Sequence, residues 1–135
     1  MKHFTELYAA IGKLFYSVAY CDKSIRDIEE QTMIKHIDQH WLTFQHPADQ
    51  FGTKSAHYIS FAFETSKENG LAEQTAYQQF VDHYQENPEI YDDEVKSLIV
   101  KTATDMASAF KGNNKAELSR LAQIQFLLSG TPKTA

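Results

Sequence analysis

The stretch HFTELYAAIGKLFYSVAY, residues 3–20, decides the fold class. Its apolar side chains Phe4, Leu7, Tyr8, Ile11, Leu14, Phe15 and Val18 recur at steps of three and four. An α-helix turns once in about 3.6 residues, so this spacing aligns them along a single stripe. A half-buried strand would instead alternate with a period of two. The stretch therefore reads as a helix from about His3 to Tyr20 with one face to bury.

The same period continues along the chain. Asp22 or Ser24 is placed to cap a second helix by accepting a hydrogen bond from an unpaired backbone N–H. That helix carries Ile28, Ile34, Ile37 and Trp41 and ends near Leu42. His46-Pro47 opens a break, and a third helix is expected over 53–67 with Ala56, Ile59 and Phe63 inward. Asn69-Gly70 closes it, because both residues tolerate the left-handed conformation that ends helices. A fourth helix spans 71–85, with Tyr77, Phe80, Val81 and Tyr84 on one side and Asn87-Pro88 as its stop.

Asp92 is the expected N-cap of the fifth helix, and Asp93 and Glu94 suit the positive end of its dipole. Val95, Leu98, Ile99, Thr102, Met106 and Phe110 form its stripe, and Gly112 ends it. Asn114-Lys115-Ala116-Glu117 resembles a capping box. The last helix follows with Leu118, Leu121, Ala122, Ile124, Gln125 and Leu128, and Gly130 closes it. The three prolines and five glycines are read as punctuation between periodic stretches. Phe61-Ala62-Phe63 alternates, but it is too short for a strand and has no hairpin partner. The fold class is all-α, a compact bundle of about six helices in a single domain over 1–130, with a frayed polar tail at 131–135.

Composition narrows the function. The 135 residues suit one domain, and 42% apolar residues suffice for a core. A formal charge of -5 argues against a general nucleic-acid binder, which needs a basic face. The charge is uneven, with 11 acidic and 3 basic residues from His36 to Val100 and 5 basic and 2 acidic from Lys101 onward. Such segments are either ordinary solvated helix faces or complementary surfaces, within one monomer or between copies. Cys21 is the one cysteine, which excludes an internal disulfide and a thiolate metal cluster and suits a reducing compartment. With no signal-peptide pattern and no membrane-length apolar run, the expected location is cytoplasmic.

Catalytic signatures are missing. No Gly-rich phosphate loop, Gly-x-Ser-x-Gly turn or Cys-x-x-Cys pair occurs. Cys21 falls at the C-terminal end of a helix, where the dipole disfavours a thiolate. An enzyme is not expected. The histidines offer one geometry: His36 and His40 are four apart on the second helix, which places both imidazoles on one face for zinc. His46 could serve as third ligand by folding back across the loop. Two solvent-facing histidines explain the same spacing. Tyr77, Phe80, Tyr84, Tyr91 and Trp41 would suit a protein interface if exposed together, and a core if not.

The first and last helical hairpins align without gaps at an offset of 88 residues, pairing Leu7 with Val95, Ile11 with Ile99, Ala19 with Ala107 and Glu29 with Glu117. Each unit is an apolar helix, a short polar turn and a helix with an early carboxylate. The turns read Ala19-Tyr20-Cys21-Asp22-Lys23-Ser24-Ile25-Arg26-Asp27-Ile28-Glu29-Glu30 and Ala107-Ser108-Ala109-Phe110-Lys111-Gly112-Asn113-Asn114-Lys115-Ala116-Glu117-Leu118. This pattern resembles the TerB-like family, associated with tellurite resistance. The family's motif is a helix ending Ala-x-Ala-Asp-Gly, a variable turn and an acidic helix start. Here Lys23 replaces the motif glycine, and Phe110 stands where the second aspartate would be.

The resemblance implies an all-helical fold and a stress-related interaction or scaffold role without catalysis. It also implies an alternative, a divalent-cation module drawing on Asp22, Asp27, Glu29, Glu30 and Glu117. The same carboxylates serve capping and helix dipoles without a metal. The expected partner is therefore a protein, a homodimer being one form of it, and no resident cofactor is required.

Overall fold

The computed structural model describes residues 4–21, 27–42, 56–109 and 115–129. They form α1 (Phe4–Ala19), α2 (Asp27–His36), α3 (His57–Glu68), α4 (Glu73–Glu86), α5 (Asp93–Ala109) and α6 (Lys115–Ser129). A π-helical turn, Ile37–Trp41, extends α2, and a 3₁₀ turn, Pro88–Ile90, precedes α5. Among the described residues there is no strand, and no helix is long and apolar enough to cross a membrane. The caps and breaks expected at Asp22, Ser24, His46-Pro47, Gly112, Asn114 and Gly130, the inward Phe110 and the tail 131–135 lie outside the described residues.

The stripe on the first helix understates its burial. Between Leu7 and Ala19 only Ala9 and Lys13 keep partial exposure. Ala10, Tyr16 and Ser17, which flank the stripe, are buried as well. A helix covered on almost every side is a core helix rather than an amphipathic wall. α1 is the hub of the bundle, packing chiefly against α3 and α4 and also against α2, α5 and α6.

Gly12 departs from the punctuation rule. It sits mid-helix in α1, where glycine costs about 1 kcal/mol relative to alanine. The reason is α3. A Cβ on Gly12 would overlap the Ile59 carbonyl oxygen and come within 3.0 Å of Ala62 Cβ. The missing side chain lets the α1 and α3 backbones meet, and no stripe count reveals that.

The second helix does not run evenly to Leu42. After His36 it widens, and the Leu42 N–H donates to the Ile37 carbonyl at 2.8 Å, five residues back. Trp41 on this turn is fully buried, edge-on to Tyr8 and Phe15 at 6.2 Å between ring centroids. Its indole N–H donates to Thr102 Oγ1 at 3.0 Å. A buried indole needs such a partner, which fixes how α2 seats on α5.

The α3–α4 connection follows its sequence signal. Gly70 takes φ +63°, the Gly70 N–H donates to Lys67 O at 3.2 Å, and the Leu71 N–H to Ser66 O at 3.0 Å. This is a Schellman ending, satisfying carbonyls the helix leaves open. Tyr16 Oη then donates to the Leu71 carbonyl at 2.6 Å and pins the turn to α1. At α5, Asp92 Oδ1 accepts from the Val95 N–H at 3.0 Å, an N-cap bond.

Candidate functional site

Of the acidic residues singled out from the two turns, Asp27, Glu29, Glu30 and Glu117 are among the described residues. Glu29 and Glu117 are each 1% exposed, and each is the third residue of its helix, α2 and α6. A capping-box carboxylate reaches back from that position to the N-cap N–H. Glu30 faces α3, where Lys67 Nζ donates to its Oε1 at 2.8 Å and Glu64 shares a hydrogen bond with it. Burial raises the Glu30 carboxyl, but the bonds from Glu64 and Lys67 outweigh it and hold Glu30 below the ordinary value. The same shared bond pushes the Glu64 carboxyl up. Asp27 is exposed, and Asp22 lies outside the described residues. Among those residues no three of His, Cys, Asp or Glu converge on a point that could hold a metal ion.

The histidine pair sits differently from two solvent-facing rings. His36 is buried, with Nε2 2.7 Å from Asp105 Oδ2 and Nδ1 3.4 Å from Thr102 Oγ1. In a neutral ring, Nε2–H donates to Asp105 and Nδ1 accepts from the Thr102 hydroxyl. The His40 ring lies against it, 5.2 Å between centroids. His46 lies outside the described residues. Carboxylate, imidazole and hydroxyl in this order form the arrangement that activates a nucleophile. Thr102, however, is fully buried and accepts the Trp41 N–H, so a substrate cannot reach its oxygen. The chain of bonds ties α2 and its π turn to α5.

The aromatic residues named from the sequence are mostly core. Trp41, Phe80 and Tyr91 are buried, and Tyr77 and Tyr84 are half-buried. Tyr77 lies under the Arg120 guanidinium at 4.2 Å, and Lys96 lies over Tyr84 at 5.7 Å. Arg120, itself buried, also donates from Nη2 to Glu73. One cation of the basic C-terminal segment is thus neutralised by the acidic middle segment inside the monomer.

His83 Nδ1 and Tyr91 Oη share a hydrogen bond at 2.8 Å. Burial lowers the His83 pKa, with Glu6 and Glu86 opposing, and burial pushes the Tyr91 phenol up. A histidine whose folded pKa is depressed is neutral in the native state. Its contribution to stability is complete above the unfolded value, 6.5, and is lost as pH falls through the folded one. Thermal midpoints should therefore drop as pH is lowered from 7 to 5. His83→Gln, which can still bond to Tyr91, should drop less; equal drops in both proteins would refute this assignment.

The exposed aromatics are others: Phe61 at 65%, Tyr58 at 44% and Phe126 at 79%. Phe61 and Tyr58 stand edge to face on α3, 6.2 Å apart. They rim a groove of about 390 Å³ between α1, α3 and α4, floored by Ala9, Ala62 and Leu71. On its far wall Lys13 Nζ donates to Gln79 Oε1 at 2.7 Å. The sequence did carry a signal for this face: Tyr58 and Phe61 fall off the inward stripe of Ala56, Ile59 and Phe63. Aromatic side chains on the outer face of an amphipathic helix need a reason. Comparisons with family models, curated proteins and solved structures find no match for this chain.

Proposed function

We propose that this chain is a non-catalytic protein-contact domain whose docking face is the α1–α3–α4 groove. The observation that carries the reading is Phe61, two-thirds exposed beside Tyr58 at the edge of an apolar depression. An aromatic ring left in water beside an apolar floor gains by being covered, and such anchors dominate binding energy at interfaces. The TerB-like resemblance at the two turns supports the same class of role, an interaction or scaffold module in a stress-related setting.

A photo-crosslinking side chain placed at position 61 tests the reading in native lysate. Discrete adducts, suppressed by Tyr58→Ala, are the expected result. Adducts no different from those formed at exposed Gln85 on α4 would sink it. Light scattering of the same protein decides whether the partner is a second copy, as in a homodimer.

A second reading rests on Glu29 and Glu117, two buried carboxylates at matching places in the two hairpins. A divalent cation needs several converging oxygens, so groups from the turns that precede these two helices, such as Asp22, would have to complete the set. Stoichiometric calcium or zinc surviving dialysis, and lost in Asp22→Ala, would establish this reading in place of the first.

A further inference from the structure

The groove's charge identifies the kind of partner it fits. Among the described lining residues Lys13 is the one charged side chain; the others are apolar or neutral, and its hydrogen-bond partner Gln79 is an uncharged amide. A cation held by a neutral acceptor keeps its charge available. Lys67 and Arg120, by contrast, are each matched to a glutamate. Resting on the contact reading above, we propose that the groove receives a segment of a protein partner that presents a large apolar side chain beside a carboxylate. The apolar side chain covers the floor between Phe61 and Leu71. The carboxylate takes the Lys13 ammonium, in exchange for or in addition to Gln79.

A second copy docking through α6 fits less well. Its most exposed apolar stripe is Leu118, Ala122 and Phe126 on the outer face of α6. The glutamate of that helix, Glu117, is buried on the opposite side, and the exposed charge near the stripe is Lys115. Laid in the groove, this face would bring Lys13 no anion and would add a cation. Complementary charge steers encounter and rejects wrong partners, so the mismatch counts against self-docking through α6.

The experiment is selection of a random dodecapeptide library displayed on phage against the full chain, with Phe61→Ala as counter-selecting protein. Peptides that depend on Phe61 should pair an aromatic or branched aliphatic residue with Asp or Glu. Phe61→Ala should weaken a synthetic copy of such a peptide about tenfold or more. Lys13→Gln should weaken it about fivefold, the effect of a partly exposed ion pair. Lys13→Glu should reverse the preference toward a peptide whose acid is replaced by lysine. Phe61-dependent peptides without acids, or indifference to Lys13→Gln, would overturn the acidic partner while leaving the docking face in place. Failure to recover any Phe61-dependent peptide would overturn both. A homodimer that dissociates on Phe61→Ala would also overturn the proposal, by assigning the groove to a second copy.

Discussion

Replacing Arg120 by alanine should lower stability by about 3 kcal/mol, at the lower end of the range for breaking a buried ion pair. Arg120 comes from α6 and reaches the first turn of α4, where it meets Glu73 and lies over Tyr77. Its side chain is 7% exposed and that of Glu73 21%. Alanine would leave the Glu73 carboxylate largely desolvated beside a void. The positive end of the α4 dipole and the residual solvent contact offset part of this cost.

The pair itself is not what makes the contact favourable. Arg120 Nη1 is buried with no hydrogen-bond partner among the described residues, so the guanidinium is incompletely satisfied. Apolar residues of similar volume often replace such a pair without loss. The double variant Arg120→Met, Glu73→Leu should therefore recover most of what Arg120→Ala loses, as read by urea unfolding. Arg120→Lys should recover little, since an ammonium lacks the planar fork that stacks on Tyr77. A double variant as unstable as Arg120→Ala would show that the charge pair, rather than its filling of space, holds α6 to α4.

Gly12→Ala is the second large effect, and two opposing terms decide its sign. Alanine gains about 1 kcal/mol of helix propensity over glycine. Against this, the new methyl meets the Ile59 carbonyl oxygen, which is main chain and cannot rotate away. Overpacking costs about 1–3 kcal/mol, and an obstacle of backbone belongs at the upper end. The net expectation is a loss of about 1–2 kcal/mol, and more for Gly12→Val. Ala62→Gly should not rescue it, because Ala62 Cβ is the lesser contact at 3.0 Å. A raised urea midpoint in Gly12→Ala would mean that α1 and α3 separate at no cost. Since Lys13 and Ala62 line the groove, such a separation should also weaken peptide binding there.

How far the sequence could be read follows from which forces are local. Helix type came from spacing, and the Asp92 cap and the Asn69-Gly70 ending came from residues whose chemistry acts within one turn. Element ends shifted, by two residues at α4, where the helix starts at Glu73 rather than Leu71, and by four at α3, which starts at His57 rather than Thr53. What stayed hidden depends on partners distant in the chain. The π turn that buries Trp41 is set by Thr102, 61 residues away. The near-complete burial of α1 is set by the helices that follow it, and Gly12 takes its meaning from Ile59.

The candidate site was legible to a smaller degree. The aromatic supply was visible, but the ones named as interface candidates sit largely in the core, while Tyr58 and Phe61 went unremarked as a pair. Arg120 drew no attention because nothing near it in sequence marks a buried cation. His36 and His40 do share a face, as their spacing requires. Their neighbours Asp105 and Thr102 belong to α5 and could not be foreseen from that spacing.

The position of α1 at the hub has a consequence for how the protein is made. Synthesis runs from N- to C-terminus, so α1 leaves the ribosome before any of the helices that cover it. Its apolar surface waits for α3 and α4, and then for α5 and α6, the last of which ends at Ser129, more than a hundred positions after α1 ends at Ala19. During that interval the nascent chain carries an unscreened, nearly all-round apolar helix, the kind of surface that holding chaperones bind and that aggregates when they are scarce. Variants that loosen the α1–α3 contact should thus lower the yield of folded protein in rapid synthesis more than their equilibrium stability predicts.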